Sequence, residues 1–191
     1  MNPPQQPQQQ PLQTPPNFTP NETLRPLFDA VDLDKSGKIS YHELQRVLTM
    51  PGSDIHAVFS ERCAKRLIKM FDRNGNGSID FEEYSALHQY LIQMKQGFES
   101  VDLNKSGKLE KSEIATTLTR VGFNFSPQLL DKLFHVFDFQ SKGSLNFDGY
   151  IELCAFLGII RNQFIPKDVH FCGQATFSWE QFVSACMEVY M

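Results

Sequence analysis

Apolar side chains recur along this chain at helical spacing, in blocks broken by short polar runs rich in Asp, Asn, Ser and Gly. In 84–101, "YSALHQYLIQMKQGFESV", Leu87, Tyr90, Leu91 and Met94 fall on one helical face, with Phe98 one turn later. In 127–137, Leu129, Leu130, Leu133, Phe134 and Phe137 form an apolar stripe, predicted to pack in the core after Ser126 as N-cap and Pro127 as first helical residue. Turn signals stand at "TMPGSD" (49–54) and "NFSP" (124–127). Pro26 lies inside the first expected helix, which therefore starts late, with Thr23 as its cap and Pro26 in its first turn. The pattern predicts an all-α fold.

The polar breaks carry the chemistry. The template D-x-[DN]-x-[DN]-G-x5-E describes a twelve-residue calcium loop between two helices. Oxygens from positions 1, 3, 5, the carbonyl of 7, position 9 and a bidentate Glu at 12 surround one ion, and Gly at 6 makes the sharp turn. "DLDKSGKISYHE" (32–43) supplies Asp32, Asp34, Ser36, the Lys38 carbonyl, Ser40 and Glu43. "DRNGNGSIDFEE" (72–83) supplies Asp72, Asn74, Asn76, the Ser78 carbonyl, Asp80 and Glu83. "DLNKSGKLEKSE" (102–113) supplies Asp102, Asn104, Ser106, the Lys108 carbonyl, Glu110 and Glu113. Three matches, each flanked by helix-like sequence, predict three calcium sites, with Mg²⁺ as a competing ion.

"DFQSKGSLNFDG" (138–149) keeps Asp138, Gly143 and Leu145 at positions 1, 6 and 8. Gln140 replaces an acid, Lys142 puts a cation at a ligand position, and Gly149 stands where the Glu belongs. Affinity follows ligand charge and number, so this loop is expected to fold without metal. "DVHFCGQATFSWEQ" (168–181) opens with Asp168 and Gly173 at positions 1 and 6, then reaches "FSWEQF" two residues late, with Glu180 at position 13. It reads as a fifth helix–loop–helix with an insertion and few oxygens.

Loops start at 32, 72, 102, 138 and 168, at intervals of 40, 30, 36 and 30. Each interval of 30 leaves 18 residues between loops. That length suits one continuous helix of about 27 Å serving as outgoing helix of one loop and incoming helix of the next. Position-8 residues Ile39, Ile79 and Leu109 predict loop pairing through short strands, first with second and third with fourth. The fifth loop is left over. Its flank of Phe171, Phe177, Trp179, Phe182, Met187 and Tyr190 is a hazard if uncovered. Pairing with the same segment of a second molecule removes the hazard by a two-fold contact, so a homodimer through the Trp179–Phe182 region is expected.

Composition narrows the function classes. Eighteen basic against twenty-two acidic residues, net charge -4, give no electrostatic footprint for nucleic acid. The N-terminus has no basic region followed by an apolar core of a signal peptide, and "LCAFLGII" (153–160) is too short to span a bilayer. Cys63, Cys154, Cys172 and Cys186 have no metal spacing and no base arrangement. They read as reduced thiols of a cytoplasmic protein, each in a helix or loop core. No phosphate-binding loop or nucleophile elbow occurs, so no enzyme is expected. Residues 1–20 hold seven Pro and six Gln and are predicted to be a mobile, polyproline-like tail.

Five such loops at these intervals, an insertion in the last and a Pro-rich tail resemble the penta-EF-hand family over about residues 21–191. EF-hands fall near 24–52, 60–91, 92–120, 127–158 and 158–191. Asp32 opening the first loop and "FSWEQF" look like its apoptosis-linked-gene-2 branch. The resemblance implies dimers through the fifth hand and an apolar surface exposed on calcium binding. It also implies a cytoplasmic adaptor that recruits Pro-rich segments of membrane-traffic or membrane-repair proteins, and moves to membranes when calcium rises. Three departures stand out. The second loop keeps a full ligand set, the fifth keeps few ligands, and His88 and Val121 stand where that branch carries a Trp and a Phe, so partner choice is not implied. A passive calcium buffer and a regulatory subunit of a calpain-like protease are the alternatives.

Overall fold

The computed structural model describes residues 19–49, 55, 58–138, 142–170 and 172–190. Among these are eight α-helices, two short strands and two turns of 3-10 helix. Helices α1 (Arg25–Val31) and α2 (Tyr41–Thr49) flank the first loop, and α3 (Glu61–Phe71) and α4 (Phe81–Val101) the second. The third lies between α4 and α5 (Lys111–Arg120), and the fourth between α6 (Pro127–Phe137) and α7 (Phe147–Phe164). The fifth lies between α7 and α8 (Trp179–Tyr190). Both double-duty helices are as predicted: α4 runs 21 residues and α7 runs 18 before Pro166 turns the chain through a 3-10 turn.

The loops pair as their position-8 residues predict. Ile39 and Ile79 form a single antiparallel bridge. Strands β1 (Lys108–Glu110) and β2 (Ser144–Asn146) pair with Leu109 opposite Leu145. All four side chains are buried. The pairing satisfies the backbone of loops that would otherwise hold unpartnered polar groups.

One rule ends every incoming helix. The Asp at loop position 1 donates its N–H to the carbonyl four residues earlier: Asp32 to Phe28 at 3.0 Å, Asp72 to Ile68 at 2.7 Å, Asp102 to Phe98 at 3.1 Å, Asp138 to Phe134 at 2.9 Å and Asp168 to Phe164 at 3.2 Å. Four of those five carbonyls belong to Phe, and Phe28 and Phe98 are core anchors. Phe28 meets Phe81 edge-on at 5.5 Å, and Phe98 meets Phe147 edge-on at 5.3 Å.

The seam between the two pairs of hands is α3 against α7. Ser60, the N-cap of α3, donates its N–H to Asp148 at 3.0 Å. Arg62 and Arg66 both reach Glu152, which is 1 % exposed. Burial is the dominant influence on this carboxyl and raises it above its ordinary value, against the two guanidiniums that lower it.

Two local expectations change. Asn21, not Thr23, provides the cap: its Oδ1 accepts from the Thr23 N–H at 3.1 Å and the Thr23 hydroxyl at 2.7 Å. It starts a 3-10 turn (Glu22–Leu24) that runs into α1, where Pro26 sits in the first turn as expected. Asn21 also donates its N–H to Ser85 on α4 at 2.7 Å, a tertiary contact that outweighs the local choice of cap. On α6 only Phe137 of the predicted stripe is buried; Leu130, Leu133 and Phe134 are half-buried and Leu129 is exposed. The helix lies on the outside, packed on α5 and α7 along one edge. The predicted mobile tail falls almost wholly on residues outside the described ones, as do most of 49–54, Gln140 and Phe171.

Candidate metal centres and the fifth loop

Each of the first three loops curls around the Asp at its position 1. In the first, single oxygens of Asp32, Asp34 and Glu43 all lie within 4.8 Å of one another. Asp32 accepts from the Ser36 N–H at 2.9 Å and the Gly37 N–H at 2.8 Å, which curls the loop around its own first carboxylate. The Ser36 hydroxyl lies 3.1 Å from the Lys38 carbonyl, so positions 5 and 7 face the same interior. Gly37 adopts φ 75°, the left-handed turn that position 6 demands. Lys35 at position 4 is also left-handed, at φ 55°, a conformation that costs a residue with a Cβ about 1 kcal/mol.

Electrostatics favours ionised carboxylates here. The Ser36 hydroxyl and N–H lower Asp34 below its ordinary value. At Glu43 burial pushes the carboxyl up, but the Ser40 N–H and hydroxyl and the Leu33 N–H more than offset this, and the net shift is downward.

The second loop repeats the scaffold with three carboxylates and two amides. Asp72 accepts from the Asn76 N–H at 3.1 Å and the Gly77 N–H at 2.7 Å. The Asn76 amide donates to Asn74 Oδ1, and the Ser78 hydroxyl to Asn76 Oδ1. The third is built like the first: Asp102 accepts from the Ser106 and Gly107 N–H groups at 2.9 and 2.8 Å, and the Ser106 hydroxyl donates to the Lys108 carbonyl at 2.9 Å.

Position 12 does double work. Glu43 Oε1 accepts from the Leu33 N–H and Oε2 from the Ser40 N–H, both at 2.9 Å. Glu83 does the same with Arg73 at 2.9 Å and Asp80 at 3.0 Å. Each Glu is thus the third residue of its outgoing helix, reaching back to the residue that caps it, and it also holds the start of the loop. Glu113 accepts from Glu110 at 2.9 Å, but the Leu103 N–H donates to the Val101 carbonyl instead. All these oxygens suit a hard cation with six to eight oxygen ligands.

The fourth loop keeps the frame only. Lys142 and Gly143 donate their N–H groups to Asp138 at 3.1 and 2.7 Å. Asn146 caps Gly149, and a Cβ at 149 would lie 3.3 Å from that Asn oxygen. The fifth loop carries the two-residue insertion read from sequence. Asp168 accepts from Cys172 and Gly173 at 2.9 and 2.8 Å, as in the other loops. The outgoing helix, however, is capped by Ser178, whose N–H donates to Gln181 Oε1 at 3.1 Å. Gln181, two residues beyond the usual position 12, therefore takes the place of the bidentate carboxylate. The signal was a Ser-x-x-Gln capping box, legible in "SWEQ".

Beyond the loops, α8 has no buried residue, with Trp179 79 % and Tyr190 88 % exposed. With α7 it frames an apolar groove of about 690 Å³, lined by Phe156, Ile160, Phe164, Phe177, Phe182 and Val189 among others. Cys63 and Cys154 are buried as expected; Cys172 and Cys186 are exposed, because the fifth hand has no cover. Burial pushes Cys154 up to about 12, which leaves it an inert core thiol. His88 lies half-buried beside Tyr84, and Val121 ends α5. No helix of the described residues is long and apolar enough to cross a membrane.

The same pattern is found in known proteins. A family profile described as an EF-hand domain pair matches residues 21–88 and 92–155. Sorcin from Schistosoma japonicum is 33 % identical over 167 residues, covering 87 % of this chain and 95 % of that protein. Human sorcin is 30 % identical, covering 88 % and 85 %. Zebrafish (Danio rerio) peflin is 29 % identical, and there the chain spans 58 % of the relative's length. A solved structure of a homolog of programmed cell death 6 protein from Leishmania major superposes with a TM-score of 0.69 at 35 % identity, covering 91 % of this chain and 93 % of that one. With five helix–loop–helix units in the order and spacing described above, the chain belongs to the penta-EF-hand family of calcium-binding proteins.

Proposed function

We propose that the protein is a calcium sensor and adaptor that works as a homodimer. Its ion ligands are Asp32, Asp34, Ser36, Lys38 and Glu43 in the first loop. Asp72, Asn74, Asn76, Ser78 and Glu83 serve the second, and Asp102, Asn104, Ser106, Lys108 and Glu113 the third. The observation that carries the reading is position 12. Glu43 and Glu83 each belong to the outgoing helix yet hold an N–H at the far end of the loop. A bound Ca²⁺ supplies a double charge that draws oxygens of both helices to one point. Recruiting that Glu therefore shifts the outgoing helix against the incoming one and opens an apolar surface. Residues 21–191 act as one domain behind the Pro/Gln-rich tail.

The largely exposed α8, with no buried residue, supports self-association through the fifth hand. The family relationship supports a cytoplasmic adaptor that recruits Pro-rich protein segments and moves to membranes when calcium rises. Calcium titration of the full chain tests the sensor reading. Helicity, Trp179 fluorescence and apolar-dye binding are expected to change together. A protein that fills its loops with all three unchanged is a buffer, and the sensor reading falls.

A further inference from the structure

Residues 62, 66 and 69 lie at i, i+4 and i+7, on one face of α3, and all three are cations. Arg62 and Arg66 meet Glu152 of α7 at 2.5 and 2.6 Å, and Lys69 meets Glu188 of α8 at 2.8 Å. Three residues past Lys69 the helix ends in Asp72, the first donor of the second loop. Between that loop and α8 lies a cleft of about 210 Å³, bounded by Asp72 and Arg73 on one side and by Asn162 and Glu188 on the other. Arg66 also lines the apolar groove beside α8, with its guanidinium 5.3 Å from the Phe156 ring centre. One line along α3 thus touches the second loop, the groove and the last helix.

We propose that occupancy of the second loop and self-association through the fifth hand are linked, and that the Lys69–Glu188 pair carries the link. The inference rests on the dimer reading above. Closing the second loop around its ligands fixes the last turn of α3 and with it Lys69. Lys69 then holds Glu188, so α8 waits in its docking pose. A face already held in its bound shape loses less freedom when a second copy arrives. Linkage is reciprocal, so a second copy that fixes α8 raises the affinity of the second loop by the same factor. The pair is partly exposed, at 26 % and 42 %, and screened. That caps the effect at about fivefold.

Sedimentation equilibrium of the full chain with and without calcium, with calorimetry on the same samples, tests this. Wild type is expected to dimerise a few-fold more tightly with calcium. Lys69→Gln and Glu188→Gln lose that gain yet still bind three ions, and Lys69→Glu combined with Glu188→Lys regains it. Glu83→Gln loses it with two ions left. A gain undiminished in Lys69→Gln overturns the linkage, as does a wild-type dimer indifferent to calcium while three ions bind. A chain that stays monomeric at every concentration removes the dimer reading and the linkage together. Two ions in wild type remove the second site and the linkage, leaving the dimer standing.

Discussion

Ile39 and Ile79, forty residues apart, exchange both backbone hydrogen bonds: the Ile39 N–H donates to the Ile79 carbonyl at 2.7 Å and the Ile79 N–H to the Ile39 carbonyl at 3.0 Å. Both side chains are 0 % exposed. The first and second loops therefore share one seam. Ile39→Ala is expected to cost about 2–5 kcal/mol of stability through the cavity it leaves, seen as a lower urea midpoint. It should also weaken ion binding at both loops, although Ile79 and its loop are untouched. Calorimetry in which the second site keeps its wild-type affinity would contradict the shared seam.

Replacing position 12 separates the sites. Glu43→Gln, Glu83→Gln and Glu113→Gln are each expected to remove one ion of three. The affected loop should fall from the sensor range, about 10⁻⁷–10⁻⁵ M, to weaker than about 10⁻⁴ M. The changes at 43 and 83 also loosen a tie between outgoing helix and loop start that Glu113 lacks. Their apo proteins should show faster amide exchange at Leu33 and Arg73, whereas Leu103 is unaffected.

Glu152 gives a pH signature. Its carboxyl is raised by burial, so the folded chain takes up this proton more readily than the unfolded chain does. The sign follows: its contribution to stability is fully present below the ordinary Glu value, about 4.3, and is lost as pH rises through the folded value. Measured against Glu152→Gln, wild-type stability should decline over that window. At neutral pH, Glu152→Leu takes a buried carboxylate away from Arg62 and Arg66, but both are part-exposed and can turn to water. The loss should be about 1–3 kcal/mol, below the 3–5 of a fully enclosed pair.

Trp179 is the chain's single Trp and 79 % exposed. In a dimer through the fifth hand its emission is expected to shift to shorter wavelength as concentration rises. Trp179→Ala with Phe182→Ala should give a monomer by sedimentation while the helix content of the other hands stays. Emission independent of concentration, from a chain of dimeric mass, would put the interface elsewhere.

The loops were legible because their chemistry is local: fixed spacing, a glycine at the turn and an acid at the end. The same regularity made the double-duty helices readable from interval lengths. The errors sit where context decided. Thr23 was the better local guess for a cap, but Asn21 is placed by its bond to Ser85 of α4. The α6 stripe had the right period and only half the neighbours needed to bury it. At the fifth loop the insertion was legible by counting from Asp168. The outgoing helix there is set by its own Ser178–Gln181 cap, two residues further along than in the other loops. The Lys69–Glu188 contact joins helices over a hundred residues apart, and no periodicity announces it.

Helix α4 begins one residue after a ligand position of the second loop and ends one residue before the first ligand of the third. Its 21 residues make a beam of about 31 Å with a socket at each end. A beam cannot tip at one end alone. Uptake at one socket should alter the other's response, so the titration curve of this protein should not decompose into independent isotherms.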